Sequence, residues 1–307
     1  MDLINSKISG FFWGGTLILL LIYDGGNISS NFLSNPSCLI LILLVGVSHG
    51  ALDDVKGFKV LKHYKIKNKL IFYLSYIFFS VFIIFIWIAL PTFTLLIFLL
   101  IASYHFGKED CWGINIRKSN FNTIKYLLKG SLIVLVPLMF SFNETISLFD
   151  ILGVKNINFY NLLNFLYEKK IITVLVATSI LINLFIAKDL KYLTLLLIDV
   201  SSIIVLYSIF SPLVSFTIYF CFLHSIRHFA SLRSELNIDF KNLIKKSFKL
   251  TALTAVFYWI GLTILTNYQK MELDSSIINV IFIGLASLTF PHILLEYLLE
   301  KNEKQRN

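Results

Sequence analysis

Long apolar runs separated by short polar connectors follow one another along the whole chain. Five of these runs contain no charged residue: 70–90, 91–107, 171–187, 251–267 and 275–295. A helix needs about 20 apolar residues to cross the roughly 30 Å hydrocarbon core of a bilayer, whereas a soluble helix carries charged residues at helical spacing. The pattern therefore predicts an all-α, polytopic membrane protein.

The runs divide into about ten predicted transmembrane helices, within a range of eight to ten. They cover residues 8–23, 37–52, 70–90, 92–106, 124–142, 171–187, 190–210, 212–230, 248–266 and 277–298. The longest connector, 143–170, has room for a helix at the membrane surface. Because no internal repeat and no soluble stretch divides the sequence, residues 1–307 are predicted to form a single integral membrane domain.

The charge of the chain is concentrated in the connectors. Apolar residues make up 57% of the sequence, and the net charge is +9. A basic protein can bind nucleic acid, but the lysines here cluster in alternate connectors and do not follow one soluble face. Basic connectors face the cytoplasm in membrane proteins. We therefore expect no nucleic-acid partner, and a protein of the inner membrane with both termini in the cytoplasm.

Five of the six histidines lie inside apolar segments. An imidazole there is costly unless it is hydrogen-bonded, buried in protein or bound to a metal. Under the predicted topology all five lie at similar depths in the inner half of the membrane. Four of them have an acidic residue or another histidine four positions later, which places both residues on one face of a helix. These pairs are His49 with Asp53, His105 with Glu109, His224 with His228, and His292 with Glu296.

This arrangement predicts one shared site that holds a metal ion within the helix bundle. A single intramembrane histidine is more often a hydrogen-bonding residue between helices, but five at one depth are difficult to explain in that way. The carboxylates of Asp53, Glu109 and Glu296 are suited to accept a ring N–H, which fixes the tautomer so that the other nitrogen faces the metal. His63 lies among the lysines of the first basic connector and is predicted to be solvated.

Four further charged residues lie in or near the predicted spans. Asp199 has a depth comparable to that of the histidines, and a hydrogen bond to a hydroxyl group of its own helix is the favoured interpretation. Lys129 is expected to extend toward the membrane surface, and Arg227 either does the same or neutralises a carboxylate of the site. Asp110 is expected at the cytoplasmic mouth.

Four short motifs resemble those of a known family. They are Ser48-His49-Gly50-Ala51-Leu52-Asp53, Tyr104-His105-Phe106-Gly107, His224-Ser225-Ile226-Arg227-His228 and Pro291-His292. In order and spacing they are similar to the motifs of the Brp/Blh family of bacterial and archaeal β-carotene 15,15'-dioxygenases. The resemblance extends over residues 37–296, which is nearly the whole chain.

The resemblance implies a cofactor and a role for each histidine. Four histidines are taken to bind ferrous iron, Fe(2+), in that family, and by motif position they correspond to His49, His105, His224 and His228. We expect His292 to have a catalytic role, in which it shapes the pocket or orients a bound oxygen species. A fifth imidazole would leave octahedral iron only one position for O₂.

The resemblance also implies a reaction. β-Carotene and O₂ are the expected substrates, and cleavage of the central double bond gives two molecules of all-trans-retinal, which would pass to an opsin. An apolar substrate of this kind is stored in the lipid bilayer, so a buried site that is reached from the bilayer avoids transport through water.

Two other classes of function remain open on the residues alone. One is a different membrane metalloenzyme. Di-iron hydroxylases and desaturases use more clustered histidines, and the sequence has no His-Glu-x-x-His motif of a zinc hydrolase. The other is a metal or proton transporter, which would use the same buried polar residues without turning over a substrate.

Overall fold

Helices account for all regular secondary structure in the described part of the chain. The computed structural model describes residues 2–26, 28–112, 122–187 and 190–304, without the side chains at 2, 48, 49, 51, 303 and 304. The prediction of an all-α protein with many helices able to cross a membrane is confirmed.

Fourteen α-helices follow one another in these residues. They are α1 (Asp2–Asp24), α2 (Asn35–Leu41), α3 (Asp53–His63), α4 (Leu70–Ala89), α5 (Pro91–Glu109), α6 (Asn122–Phe140), α7 (Phe142–Ile151), α8 (Ile157–Glu168), α9 (Ile171–Ile186), α10 (Leu190–Ile209), α11 (Pro212–Tyr219), α12 (Ser225–Leu236), α13 (Phe240–Thr263) and α14 (Leu273–Lys304). π-Helical turns occur at Ile42–Gly46, Phe220–His224 and Ile264–Tyr268, and a 3-10 turn at Val47–Leu52. Proline stands in the first turn of α2, α5 and α11, where its missing N–H costs no helical hydrogen bond.

Eight helical segments among the described residues are long and apolar enough to cross a membrane, and a bent pair raises the number to nine. The bent pair is α8 and α9, which meet at 70° next to Lys170, whose φ is 57°. The predicted span 171–187 is therefore the second helix of a bent pair and not a straight span of its own. The connector 143–170 holds two helices, α7 and α8.

The predicted span 37–52 is not a continuous α-helix. After α2 the chain continues through a π-helical turn and a 3-10 turn. The residues before and after it contact different parts of the bundle. Ser30, before the segment, accepts a backbone hydrogen bond from Ser211 (3.2 Å), whereas Asp53, after it, contacts His292 late in α14. Irregular backbone of this kind is tolerated at membrane depth where protein encloses it.

The centre and the periphery of the bundle differ in burial. The segment that contains α11 and α12 is the most buried of the candidate spans, whereas α4 and α13 expose most of their apolar side chains. Phe85 on α4 is 67% exposed, and Trp259 on α13 is 70% exposed. Such continuous apolar surfaces are typical of helices that contact lipid.

The α5 and α6 helices pack backbone against backbone, and two glycines make this possible. A Cβ atom on Gly107 would lie 1.8 Å from the carbonyl oxygen of Tyr126, and one on Gly130 would lie 1.8 Å from that of Ser103. Small residues allow this close approach between membrane helices. The contact holds α6 against the turn of α5 that carries His105.

Candidate metal centre

Four histidine rings meet inside the bundle. His105 lies near the end of α5, His224 closes the π-helical turn before α12, His228 lies one turn further on, and His292 is within α14. The ring centroid of His105 is 5.3 Å from that of His224, 6.4 Å from that of His228 and 5.1 Å from that of His292. All four side chains are buried.

The π-helical turn that ends at His224 contains an extra residue, and this changes which face the next side chains occupy. Such turns are frequent at functional sites.

Each of these rings has a carboxylate near its Nδ1 atom, and the carboxylate comes from a different part of the chain. The Nδ1 to oxygen distances are 2.9 Å for His228 and Glu109, 2.8 Å for His292 and Asp53, 3.7 Å for His105 and Glu296, and 3.9 Å for His224 and Asp110. The two shorter distances are those of hydrogen bonds. A carboxylate that accepts the Nδ1 proton leaves Nε2 as the nitrogen with a lone pair.

These pairings cross between helices. The spacing in the sequence pairs Glu109 with His105 on its own helix, but its hydrogen bond goes to His228. Glu296 lies 3.6 Å from Nε2 of its helix neighbour His292, and it also approaches His105. Residues four positions apart point toward the same neighbouring helix, so an acid meets the histidine that this neighbour presents.

Asp110 is buried beside His224 and does not lie at a solvated mouth, which corrects the expectation from sequence. The Tyr219 hydroxyl donates to its Oδ2 (2.8 Å), and Nη1 of Arg227 lies 3.2 Å from its Oδ1. Burial acts to raise the pKa of Asp110, but Arg227 and other nearby hydrogen-bond donors and cations outweigh it and lower this pKa below its ordinary value. Because neighbouring residues on a helix point in different directions, Glu109 and Asp110 serve two different rings.

Arg227 is at the centre of a second buried cluster of charges. It donates two hydrogen bonds to Asp199 (2.7 and 2.9 Å), one to Asn5 (2.8 Å) and one to Ser9 (2.6 Å). Lys129 donates to the same Asp199 carboxylate (3.1 Å). The expectations of a local hydrogen bond for Asp199 and of a surface position for Lys129 are therefore wrong. Each group has an opposite charge inside the bundle, which offsets the desolvation cost of burial.

Lys56 is a residue of the site that the sequence did not indicate. Its Nζ lies 3.2 Å from Oε1 of Glu296, and the side chain is buried. Burial acts to lower the pKa of Lys56, but Glu296, Asp53 and two further acids outweigh it and raise this pKa. Lys56 balances part of the negative charge around the histidines. It carried no signal in the sequence because it is one of six lysines in a basic connector.

The donor atoms of the cluster suit a divalent transition metal. His105, His292 and Glu296 each offer one ligand atom within 4.8 Å of the others, and so do Glu109, His228 and Glu296. Imidazole nitrogen binds iron, copper, nickel and zinc, so these donors do not select one metal. The carboxylates at Nδ1 correspond to the partners that metal-bound histidines usually have.

The remaining two histidines are His49 and His63. The side chain of His49, the first predicted ligand, lies outside the described residues, and its backbone belongs to the 3-10 turn that precedes Asp53. His63 is at the far end of α3, roughly 15 Å from Asp53 along the helix at about 1.5 Å per residue. Its ring contacts that of Tyr64, with the centroids 5.1 Å apart.

A cavity of about 780 Å³ ends at the histidines, and we call it the large cavity. His105, His224, His292 and Asp53 line its inner end. The lining residues of α4 run from 72 to 88, which is roughly 24 Å of helix at about 1.5 Å per residue. Most of the remaining lining is aromatic or aliphatic. Its volume and lining are typical of sites for apolar small molecules.

The fold and the site define a polytopic helical membrane protein in which a buried group of imidazoles and carboxylates closes one end of an apolar cavity. The chain belongs to the β-carotene 15,15'-dioxygenase family, whose family model matches residues 40–300. Over 261 residues it is 30% identical to a β-carotene 15,15'-dioxygenase from uncultured marine bacterium 66A03, a match that covers 84% of this chain and 90% of the relative. No solved structure matches the chain. The resemblance seen in the motifs is confirmed.

Proposed function

We propose that this protein cleaves β-carotene with O₂ at the central 15,15' double bond and releases two molecules of all-trans-retinal, with ferrous iron as its cofactor. The observation that carries the proposal is the buried imidazole and carboxylate cluster at the end of an apolar cavity, in a chain of this family. The overall reaction is balanced because one O₂ provides one oxygen atom for each carbon of the broken double bond.

His49, His105, His224 and His228 are the proposed iron ligands. When bound, ferrous iron would supply the redox activity that reaction with O₂ requires, and the four imidazoles would hold it. Glu109 holds the Nδ1 side of His228, so that Nε2 is the nitrogen that would face the metal.

His292 is proposed to act next to the metal. Asp53 fixes its Nδ1 atom at 2.8 Å, and its Nε2 atom lies 3.6 Å from Glu296. This geometry supports a residue that holds a defined orientation at the end of the large cavity. It is also similar to the arrangement of His228, so a ligand role for His292 is the alternative to test.

The large cavity is proposed to bind the carotene. Phe106 and Phe220 pack against the His224 ring, with centroids 4.7 and 5.6 Å away, and they form an apolar wall beside the cluster. Such a wall excludes water from the reacting bond. Because α4 and α13 line the cavity and also lie at the periphery of the bundle, a substrate dissolved in lipid can enter without crossing water.

We further propose that the protein lies in the inner membrane with both termini in the cytoplasm, and that its retinal passes to an opsin. The basic connectors support the orientation. They include the lysines of α3 and those at the start of α13. The opsin is proposed from the chemistry of the product, an aldehyde that forms a Schiff base with lysine.

Expression in bacteria that produce β-carotene tests the proposed reaction. The cells should lose their carotene colour and accumulate retinal, because the cavity and the histidine cluster are both present in the single chain. Retinal is measured by extraction and chromatography. Unchanged carotene, in cells where the protein is inserted in the membrane, would count against the proposal, and iron chelation during assay of the purified protein should stop turnover.

Replacement of Glu109 tests how the carboxylates support the metal. Glu109→Gln should weaken iron binding or turnover by about 10- to 100-fold, because an uncharged amide oxygen is a weaker acceptor for the Nδ1 proton of His228 than the carboxylate and raises the basicity of the ring less. The control is Glu144→Gln, which changes an exposed acid in the first turn of α7. Iron content after dialysis against a weak chelator distinguishes the two variants, and equal retention of iron would contradict the role of Glu109.

A further inference from the structure

If the protein cleaves β-carotene at its central bond, as proposed above, the position of the histidines in the large cavity limits how the substrate can bind there. The cluster lies at one end of this cavity, and His292 is the last residue of α14 that lines it. A substrate that lay entirely within the cavity would present one of its ends to the cluster. Cleavage at the central bond therefore requires a second space on the other side of the cluster for the other half of the molecule.

A second cavity of about 500 Å³ lies between α4, α5 and α14. His105 lines both cavities. On α4 the two linings occupy different faces: Ser80 and Ile84 face the large cavity, whereas Phe79 and Phe82 face the second one. The histidine cluster thus has a cavity on each side.

The lining of the second cavity is suited to an uncharged apolar group. Aromatic and aliphatic side chains of the three helices form most of it. Its charged residues are Lys108, Glu296 and Glu300, and they are paired with one another, since Lys108 contacts both acids. A ligand in this cavity therefore does not have to supply a charge.

The second cavity also reaches the surface that α4 presents to lipid. Phe79 and Phe82 of its lining are 40% and 46% exposed, and Leu294 on α14 is 40% exposed. A molecule dissolved in the hydrocarbon can thus reach the second cavity from the side.

We propose that the second cavity is the binding site for the second half of the substrate, a polyene chain with its terminal ring. The first half lies in the large cavity, the central double bond lies beside His105, and the second half stays between α4, α5 and α14. The length of the second cavity then helps to determine which double bond is cut.

Filling the second cavity tests this proposal. Ile101 lines it one helical turn before His105, whereas its neighbour Leu100 is 54% exposed and lines neither cavity. Ile101→Trp should lower β-carotene turnover by about tenfold to a hundredfold, because displacement of the reacting bond by about 1 Å has effects of this order. Leu100→Trp adds the same bulk to the same helix and should retain the turnover of the unmodified chain.

A truncated substrate separates a blocked cavity from a damaged site. The probe is a β-apocarotenal that keeps one complete half and ends a few carbon atoms beyond the central double bond. Its short end does not need the second cavity, so Ile101→Trp should still cleave it, and the ratio of its turnover to that of β-carotene should rise about tenfold or more. A longer apocarotenal formed from β-carotene by an off-centre cut would also support the proposal.

Other results would contradict the second binding site or the proposed function. An unchanged substrate ratio in Ile101→Trp, or equal loss of both substrates in Ile101→Trp and in the smaller change Ile101→Phe, would overturn the second binding site. Absence of retinal from the unmodified chain would instead overturn the proposed function. The two failures are therefore distinguishable.

Discussion

Replacing His105, His224 or His228 by alanine abolishes retinal formation and removes the bound iron, while the protein still inserts into the membrane. We expect this result because each ring is buried within the cluster and has a carboxylate at Nδ1, as a metal ligand does. Insertion depends on the apolar length of the helices, which these substitutions leave unchanged. The same outcome is expected for His49 from its motif position.

The measurements are iron content of the purified protein and retinal formed from β-carotene. His63→Ala is the matched control, since this ring lies at the far end of α3 and should lose neither iron nor activity. His292→Ala should keep its iron and lose turnover. Iron loss in that variant equal to the loss in His228→Ala would show that His292 is a ligand, and full iron retention in the other three variants would refute the proposed centre.

We expect a second large effect when Arg227 is replaced by glutamine. The protein should lose stability. The guanidinium contacts Asp199 and Asp110 in a part of the bundle that excludes water, and loss of one partner from a buried ion pair costs about 3 to 5 kcal/mol. The thermal unfolding temperature of the protein in detergent should fall accordingly. Arg233→Gln is the control, because this arginine lies on the exposed side of the same helix and should change the unfolding temperature little.

A second substitution shows whether the cause is the unpaired charge. Asp110→Asn in the Arg227→Gln background removes the carboxylate that faced the Nη1 atom of Arg227, while Asp199 keeps its contact with Lys129, so the unfolding temperature should rise relative to Arg227→Gln alone. A further decrease would mean that Arg227 stabilises the bundle through its packing and not through charge. The N-terminal helix contributes to this cluster through Asn5 and Ser9, although α1 precedes the region that the family model matches.

The regular parts of the fold could be predicted because hydrophobic length is a local property of the chain. Runs such as 70–90 and 190–210 became α4 and α10 nearly at the predicted bounds. The segment 37–52 has the same apolar composition, but its helix gives way to π-helical and 3-10 turns. Composition does not distinguish these geometries, because enclosure by other helices decides whether irregular backbone is tolerated.

By itself the sequence determined the class of protein, the family and the histidines and acids that are candidates for the site, since these depend on residue type, spacing and order. Only the tertiary structure decided which acid serves which ring. Glu109 reaches His228 across helices. Asp110, which was predicted at the cytoplasmic mouth, and Lys56, which belongs to a basic connector, also join the site. Partners of this kind depend on the distances between helices far apart in the chain, and helical spacing describes only the direction in which each side chain points.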